Sequence, residues 1–170
     1  MSHTVKVKVE LKDRAALARV VSAMGGSVLG EGTHSLFAGS EQGFGFKLPG
    51  WQFPLVLKDN GELAFDDYHG VWGRVADLDK LKDRYALSVA RQAAEAQGWL
   101  CEEMVGGLTI YHPDGGTLTV RPDGTVDAAG FEGCGCTNAT EAIERAMGTR
   151  QEEHIKDEYF AERARINATE

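Results

Sequence analysis

Polar and apolar positions alternate at the start of the chain and then change to a helical period. Residues 4–10 place three valines on one face and mostly charged side chains on the other, which predicts a half-buried strand. Apolar residues then recur at helical spacing, at Leu17, Val20, Val21 and Met24. Asp13 stands where an N-cap is expected, and Gly25 and Gly26 follow the last apolar position. The pattern therefore predicts a strand followed by a helix.

The middle of the chain continues this mixture of strands and helices. Two apolar runs flank Asn60-Gly61, a dipeptide that is typical of tight hairpin turns. A long apolar stripe at helical spacing begins at Asp77 and predicts a helix to about Gln97. The segments predicted as strands here are 27–29, 43–48, 54–57, 62–65 and 99–105. The order β-α-β-β-α-β over residues 1–106 is typical of a ferredoxin-like sandwich, here with an enlarged hairpin.

Short strands and glycine turns characterise the sequence from residue 107 onward. Two Pro-Asp-Gly turns separate three runs of high strand propensity, which predicts a three-stranded meander. These runs are 108–111, 117–120 and 125–128.

Two possible capping boxes follow the meander. Asn138 with Glu141, and Thr149 with Glu152, have the required spacing, and they predict a short helix and then a charged terminal helix. We therefore expect an α+β protein. Its predicted domains are a ferredoxin-like domain at 1–106 and a small meander-and-helices unit at 107–170.

Composition limits the classes of protein to which the chain can belong. It has 170 residues, 42% of them hydrophobic, which suffices for a core. A formal net charge of −8 without a Lys/Arg cluster argues against nucleic-acid binding. No apolar run of about 18 residues and no hydrophobic signal core occur, so we expect neither a membrane span nor export. Three cysteines without a regular framework are typical of a reducing cytosol, and the expected localisation is cytoplasmic.

Several motifs of the first half resemble a known family. They are Met1–Val7, the helix that Asp13 begins, Asp66–Trp72 and Arg84–Ala86. In these motifs the chain resembles the hypothetical chloroplast reading frame 35 family, which has cyanobacterial and other bacterial relatives and no known function.

The tail resembles a second short bacterial family, also uncharacterised. The motifs are Pro122–Gly124, Gly135-Cys136, Ala142–Gly148 and the Glu/Tyr-rich helix predicted to follow it. The whole chain thus resembles a fusion of the two families, whose members tend to be encoded near one another and near an AAA-type ATPase. The resemblance implies an accessory subunit rather than a free-standing enzyme, and it assigns no catalytic residue.

The Cys-Gly-Cys segment is the first candidate site. Cys134 and Cys136 stand just before a predicted helix, whose N-terminus lowers the pKa of a thiol and attracts anions. Two thiolates can also bind zinc or an iron–sulfur cluster, with Cys101 and His112 as the remaining ligands, although this set has no standard spacing. The alternatives are a redox or nucleophilic thiol, a metal site, or inert cysteines in a tight turn.

The segment Asp66-Asp67-Tyr68-His69 with Trp72 is the second candidate site. Two carboxylates and an imidazole can bind a divalent ion or transfer protons. The segment follows a hairpin and precedes a glycine, a place where such residues more often shape a loop or contact a partner.

Aromatic residues are unusually dense between residues 37 and 53. Large exposed rings are costly unless something covers them, so these rings either pack into the core or form a partner-binding surface. They are Phe37, Phe44, Phe46, Trp51 and Phe53. A Gly-x-Gly within this region has no strand–GxGxxG–helix context and no Walker lysine, so nucleotide binding there is weakly supported.

These features favour a non-enzymatic accessory subunit that binds a protein partner, expected to be an AAA-type ATPase, because the chain lacks a complete catalytic set. The contact surface would comprise the aromatic-rich region and residues 66–72. No resident cofactor is expected. The first alternative is a thiol-dependent or metal-binding protein with zinc or an iron–sulfur cluster at the Cys-Gly-Cys segment. The second is a small-molecule or nucleotide sensor on an open sheet face, by analogy of fold. The sequence leaves a homo-oligomer possible.

Overall fold

The computed structural model describes residues 3–131 and 135–155 of the chain, with three helices and two antiparallel sheets within these ranges. The predicted mixed α+β class is confirmed. None of the helices in the described ranges is long and apolar enough to cross a membrane. The chain divides into two compact units, one formed by residues 1–10 and 86–170 and the other by residues 11–85.

The described elements are, in chain order, β1 (His3–Val9), α1 (Arg14–Ala23), β2 (Ser27–Ser35), β3 (Ser40–Lys47), β4 (Leu55–Leu57), β5 (Leu63–Ala64), α2 (Val75–Ala96), β6 (Leu100–Met104), β7 (Gly107–Tyr111), β8 (Thr117–Val120), β9 (Thr125–Ala129), α3 (Gly135–Met147) and β10 (Gly148–Ile155).

The first unit is built on a six-stranded sheet in the order β10-β1-β9-β8-β7-β6. Helix α3 packs on β1, β9 and β10. Alternate residues of β8 and β9 are buried, as the period of two predicts. The core residues on the strands and α3 include Val5, Val7, Leu108, Ile110, Leu118, Val120, Val126, Ile143 and Met147.

The predicted meander of β7, β8 and β9 is confirmed, with each strand antiparallel to the next. Gly124 ends the second Pro-Asp-Gly turn with a φ of 93°, a conformation that glycine adopts without steric cost. A Cβ at this position would collide with the carbonyl oxygen of Val7. Glycine is therefore required twice here, by the turn and by the close approach of β1.

The prediction of a charged helix beginning at Thr149 is wrong over the described residues, because residues 148–155 form strand β10. This strand pairs antiparallel with β1 from Val9 opposite Gly148 to His3 opposite Ile155, with a bulge beside Val7. The pairing satisfies backbone groups on both strands, which outweighs a local preference for helix. Residues 156–170 lie outside the described ranges.

The short helix predicted from Asn138 exists as α3, but it begins three residues earlier, at Gly135. Asn138 therefore lies within the helix rather than at its N-cap. As a consequence, Cys136 is part of the first helical turn.

The second unit is built on a four-stranded antiparallel sheet in the order β2-β3-β4-β5, against which α1 packs through β2 and β3. The predicted N-cap is confirmed, since the Asp13 side chain accepts a hydrogen bond of 3.0 Å from the Ala16 amide. The Asp13 amide in turn donates to the Tyr85 hydroxyl over 2.9 Å. Burial raises the pKa of the Tyr85 phenol. The predicted hairpin around Asn60-Gly61 is also present, as β4 and β5.

The ferredoxin-like arrangement predicted for residues 1–106 is not confirmed. Strands β1 and β6 belong to the six-stranded sheet, whereas β2 to β5 form the other sheet. The compact units accordingly divide the chain at places other than residue 106, because β1 pairs with β9 and β10.

Candidate functional site

Four aromatic rings of the second unit meet in one cluster, formed by Phe37, Phe53, Tyr68 and Trp72, which we call the aromatic cluster. Trp72 lies at its centre. Its ring centroid is 4.6 Å from that of Phe37, 5.2 Å from that of Phe53 and 4.7 Å from that of Tyr68. Phe37 and Phe53 also contact each other edge to face, at 6.1 Å. The four rings come from three separate loops, so tertiary packing rather than local sequence creates the cluster.

Asp66 holds two of these loops together. Its Oδ2 atom accepts hydrogen bonds from the backbone amides of Phe37 at 3.0 Å and Ala38 at 3.3 Å. These amides lie in the tight turn between β2 and β3, which a hydrogen bond from the Leu36 amide to the Gly39 carbonyl closes. The Asp66 carboxylate thus joins the loop 66–72 to the turn between β2 and β3.

The loop 66–72 is further fixed by its own backbone. The Asp67 carbonyl accepts from the amides of Gly70 and Trp72, and the Trp72 carbonyl accepts from the Gln52 amide at 2.8 Å. The last bond ties the loop to the segment that contains Phe53. The rings are thus placed by hydrogen-bonded backbone on each side.

Tyr68 and His69 adopt left-handed backbone conformations, with φ values of 45° and 54°. For residues other than glycine this conformation costs roughly 1–2 kcal/mol each. Such strain persists only where surrounding contacts over-determine it, and it concentrates at functional sites. In this conformation the Tyr68 ring stacks on Trp72 while more than half of the Tyr68 surface stays exposed.

The other three aromatic candidates lie in the core of this unit. Phe44, Phe46 and Trp51 are each at most 7% exposed. The Trp51 indole also donates to Asp77 Oδ2 at 3.1 Å. Of the two roles weighed for these rings, core packing is the one the structure gives. The partner-binding prediction therefore rests on the aromatic cluster with Asp66, Asp67 and His69.

The structure describes only some of the residues of the predicted thiol or metal site. Cys134 and the side chain of Cys136 lie outside the described structure, although the Cys136 backbone belongs to α3. Within the part of the chain that is described, no group of three potential ligands could hold a metal ion.

Cys101 and His112 both have defined surroundings. Burial raises the pKa of the Cys101 thiol, Glu95 raises it further, and Arg91 lowers it. His112 lies between the rings of Trp99 and Phe131, at 4.7 and 5.2 Å, and its Nδ1 accepts from the Asp114 amide at 3.1 Å. The hydrogen bond occupies Nδ1 of His112, so Nε2 is the imidazole nitrogen that the predicted ligand role would use.

An ion pair between α3 and β10, in which the glutamate is buried and the arginine is partly exposed, was not predicted from the sequence. Glu144 Oε2 accepts hydrogen bonds from Arg150 Nε at 2.9 Å and Nη2 at 2.6 Å, and Arg150 also contacts Glu153. Glu144 is 6% exposed, and its buried Oε1 atom has no hydrogen-bond partner among the residues that the structure describes. A cavity of about 480 Å³ adjoins the pair. Residue 150 was expected on a helix, so its pairing partner was not visible in the sequence.

A second cavity, of about 310 Å³, lies at the N-terminal end of α2. Arg74, Lys80 and Arg84 line it together with Asp77. The grouping was not predicted either, because it depends on how the first turns of α2 meet residues 48 and 49.

Residues 117–160 match a family described as a protein of unknown function (DUF2997). The matched segment spans β8, β9, α3 and β10, and it coincides with the segment on which the second resemblance rests. No curated protein and no solved structure matches the chain. The resemblance of the first half to the chloroplast reading frame 35 family stays a prediction.

Proposed function

We propose that the chain is a non-enzymatic accessory subunit that binds a partner protein through the aromatic cluster. The observation that supports this most is the exposure of its rings, since Phe37 is 66% exposed and Tyr68 58% exposed. Val71, beside them in sequence, is 71% exposed. Large rings held in water by a strained and hydrogen-bonded loop are typical of a surface that another molecule covers.

The partner proposed is an AAA-type ATPase, which is the association that the family resemblance implies. A preformed surface suits this role, because little ordering entropy is lost when such a surface binds.

Co-expression with the AAA-type ATPase encoded nearest its gene, followed by size-exclusion chromatography, tests the proposal. We expect co-elution with the intact chain. Replacement of Tyr68 or Phe37 by serine removes exposed ring area without opening the core and should weaken co-elution at least tenfold. Val105→Ser is the matched control, because Val105 is fully exposed in the other unit. Co-elution that is equal for all variants would show that the cluster is not the contact surface.

The thiol or metal alternative is supported by one placement, that of Cys136 in the first turn of α3. A helix N-terminus stabilises a thiolate. A metal content near one equivalent, or alkylation of this thiol that stays rapid below pH 7, would favour this alternative, and both should vanish in the Cys134→Ser/Cys136→Ser variant. The sensor hypothesis depends on the ferredoxin-like sandwich, which stays a prediction, and saturable binding of a metabolite is its test.

A further inference from the structure

The charges around the aromatic cluster indicate which kind of partner it fits. The loops that supply the four rings are residues 36–39, 51–54 and 66–72, and they contain two carboxylates and neither lysine nor arginine. The two carboxylates belong to Asp66 and Asp67, which directly precede Tyr68. Glu41, on β3 just after the first loop, lies 4.0 Å from Lys58, which offsets its charge. The acidic side chains beside the rings are therefore those of Asp66 and Asp67.

The Asp66 carboxylate is held close to the rings, because its Oδ2 atom lies 3.0 Å from the Phe37 amide nitrogen. Asp67 directly precedes Tyr68, and its backbone carbonyl accepts from the Trp72 amide over 2.8 Å, so its backbone is fixed within the same loop. Arg74, the next cation along the chain, lines the cavity at the start of α2. Exposed ring faces beside carboxylates present a negative quadrupole and a negative charge to the same incoming group.

We propose that the aromatic cluster binds an arginine side chain from a basic segment of the partner protein. This inference rests on the proposed function and specifies its contact. A guanidinium stacks on aromatic faces and pairs with carboxylates in the same plane, which an ammonium does less well. The exposed faces of Phe37 and Tyr68 provide the stacking surface, and Asp67 provides the charge. The net charge of −8 favours approach of such a segment over long distances.

Three capped pentapeptides serve as probes: acetyl-Gly-Arg-Gly-Arg-Gly-amide and the same sequence with citrulline or with leucine. Citrulline keeps the shape and planarity of arginine without its charge. The indole N–H signals of the three tryptophans in a ¹⁵N spectrum report where binding occurs. The Trp72 signal is the reporter of binding. Trp51, which is buried in the same unit, and Trp99, which lies in the other unit, are internal controls.

We expect the arginine peptide to shift the Trp72 signal saturably, and to bind about fivefold to tenfold more tightly than either neutral peptide. Added salt should weaken this binding, since the attraction includes an exposed charge pair. Asp67→Asn and Tyr68→Ser should each remove most of the preference. Asp67→Asn retains the fold, because the hydrogen bonds of Asp67 described above are made by its backbone carbonyl.

Several outcomes overturn this inference. Equal or tighter binding of the citrulline or leucine peptide would identify an apolar occupant, and absence of a shift in Trp72 would show that arginine does not bind. Shifts of Trp72 that depend on protein concentration without peptide would identify a second copy as the occupant. Co-elution with the ATPase that depends on Tyr68 but is unchanged by Asp67→Asn would retain the proposed function and reject the arginine contact.

Discussion

The ring of Tyr68 stacks on that of Trp72, with centroids 4.7 Å apart and 25° between their planes, although the Tyr68 backbone is left-handed. Aromatic pairs of this kind contribute about 0.5–1.5 kcal/mol beyond the area they bury. That is comparable to the roughly 1–2 kcal/mol that the left-handed conformation of one residue costs. The stacking and the hydrogen bonds of the loop together keep a strained backbone in place.

Trp72 is expected to stabilise the second unit more than either exposed ring does. Trp72→Ala removes the ring that contacts the other three and should lower the free energy of unfolding by about 1–3 kcal/mol. Phe37→Ala should cost less than about 1 kcal/mol, because that ring is mostly exposed. Urea denaturation of both variants measures the difference, and equal losses would contradict the central position assigned to Trp72.

The backbone of His69 predicts an inverted order of substitutions. His69→Ala keeps the left-handed strain, whereas His69→Gly relieves it, so the glycine variant should be more stable than the alanine variant by about 1 kcal/mol. At ordinary exposed positions alanine is the more stable of the two, because glycine loses more entropy on folding. The midpoints of urea unfolding give the order. A more stable alanine variant would show that residue 69 is not left-handed in solution.

Features set by neighbouring residues could be predicted from the sequence. The N-cap at Asp13 and the turn at Gly124 depend on a few adjacent positions, and both are present. Strand β10 depends on pairing with β1, from the other end of the chain, and the local capping box at Thr149 indicated a helix instead. Because residue 150 was predicted to lie on that helix, the pairing of Arg150 with Glu144 was not predicted either.

The candidate surface was predictable as a region but not ring by ring. The density of aromatic residues indicated a site around residues 37–53. Periodicity did not separate Phe37, which is exposed in a turn, from Phe44 and Phe46, which are buried on β3. The difference arises from the neighbours that cover each ring, and those neighbours come from distant segments.

Removal of Arg150 alone is expected to destabilise the protein more than removal of both Glu144 and Arg150. Arg150→Met leaves the buried carboxylate without its donors and should lower the free energy of unfolding by about 1–3 kcal/mol. The double variant Glu144→Leu/Arg150→Met removes the buried charge as well, and it should recover at least half of that loss. Chemical denaturation of the two variants and the parent provides the comparison. Glu144→Leu is the second single variant. If the stability losses of the two single variants add up to that of the double variant, the two side chains are not coupled.

The Cys101 thiol is expected to be slow to alkylate near neutral pH. Its partial burial and the charge of Glu95 raise its pKa, and since only the thiolate reacts, less of it is reactive at pH 7.5 than in an unfolded peptide. In a Cys134→Ser/Cys136→Ser background, the iodoacetamide rate should rise with pH to a midpoint above that of the peptide. Glu95→Gln should move that midpoint down and speed the reaction at pH 7.5, while Arg91→Gln should do the reverse. If both changes slow the reaction, access to the thiol rather than its charge environment controls the rate.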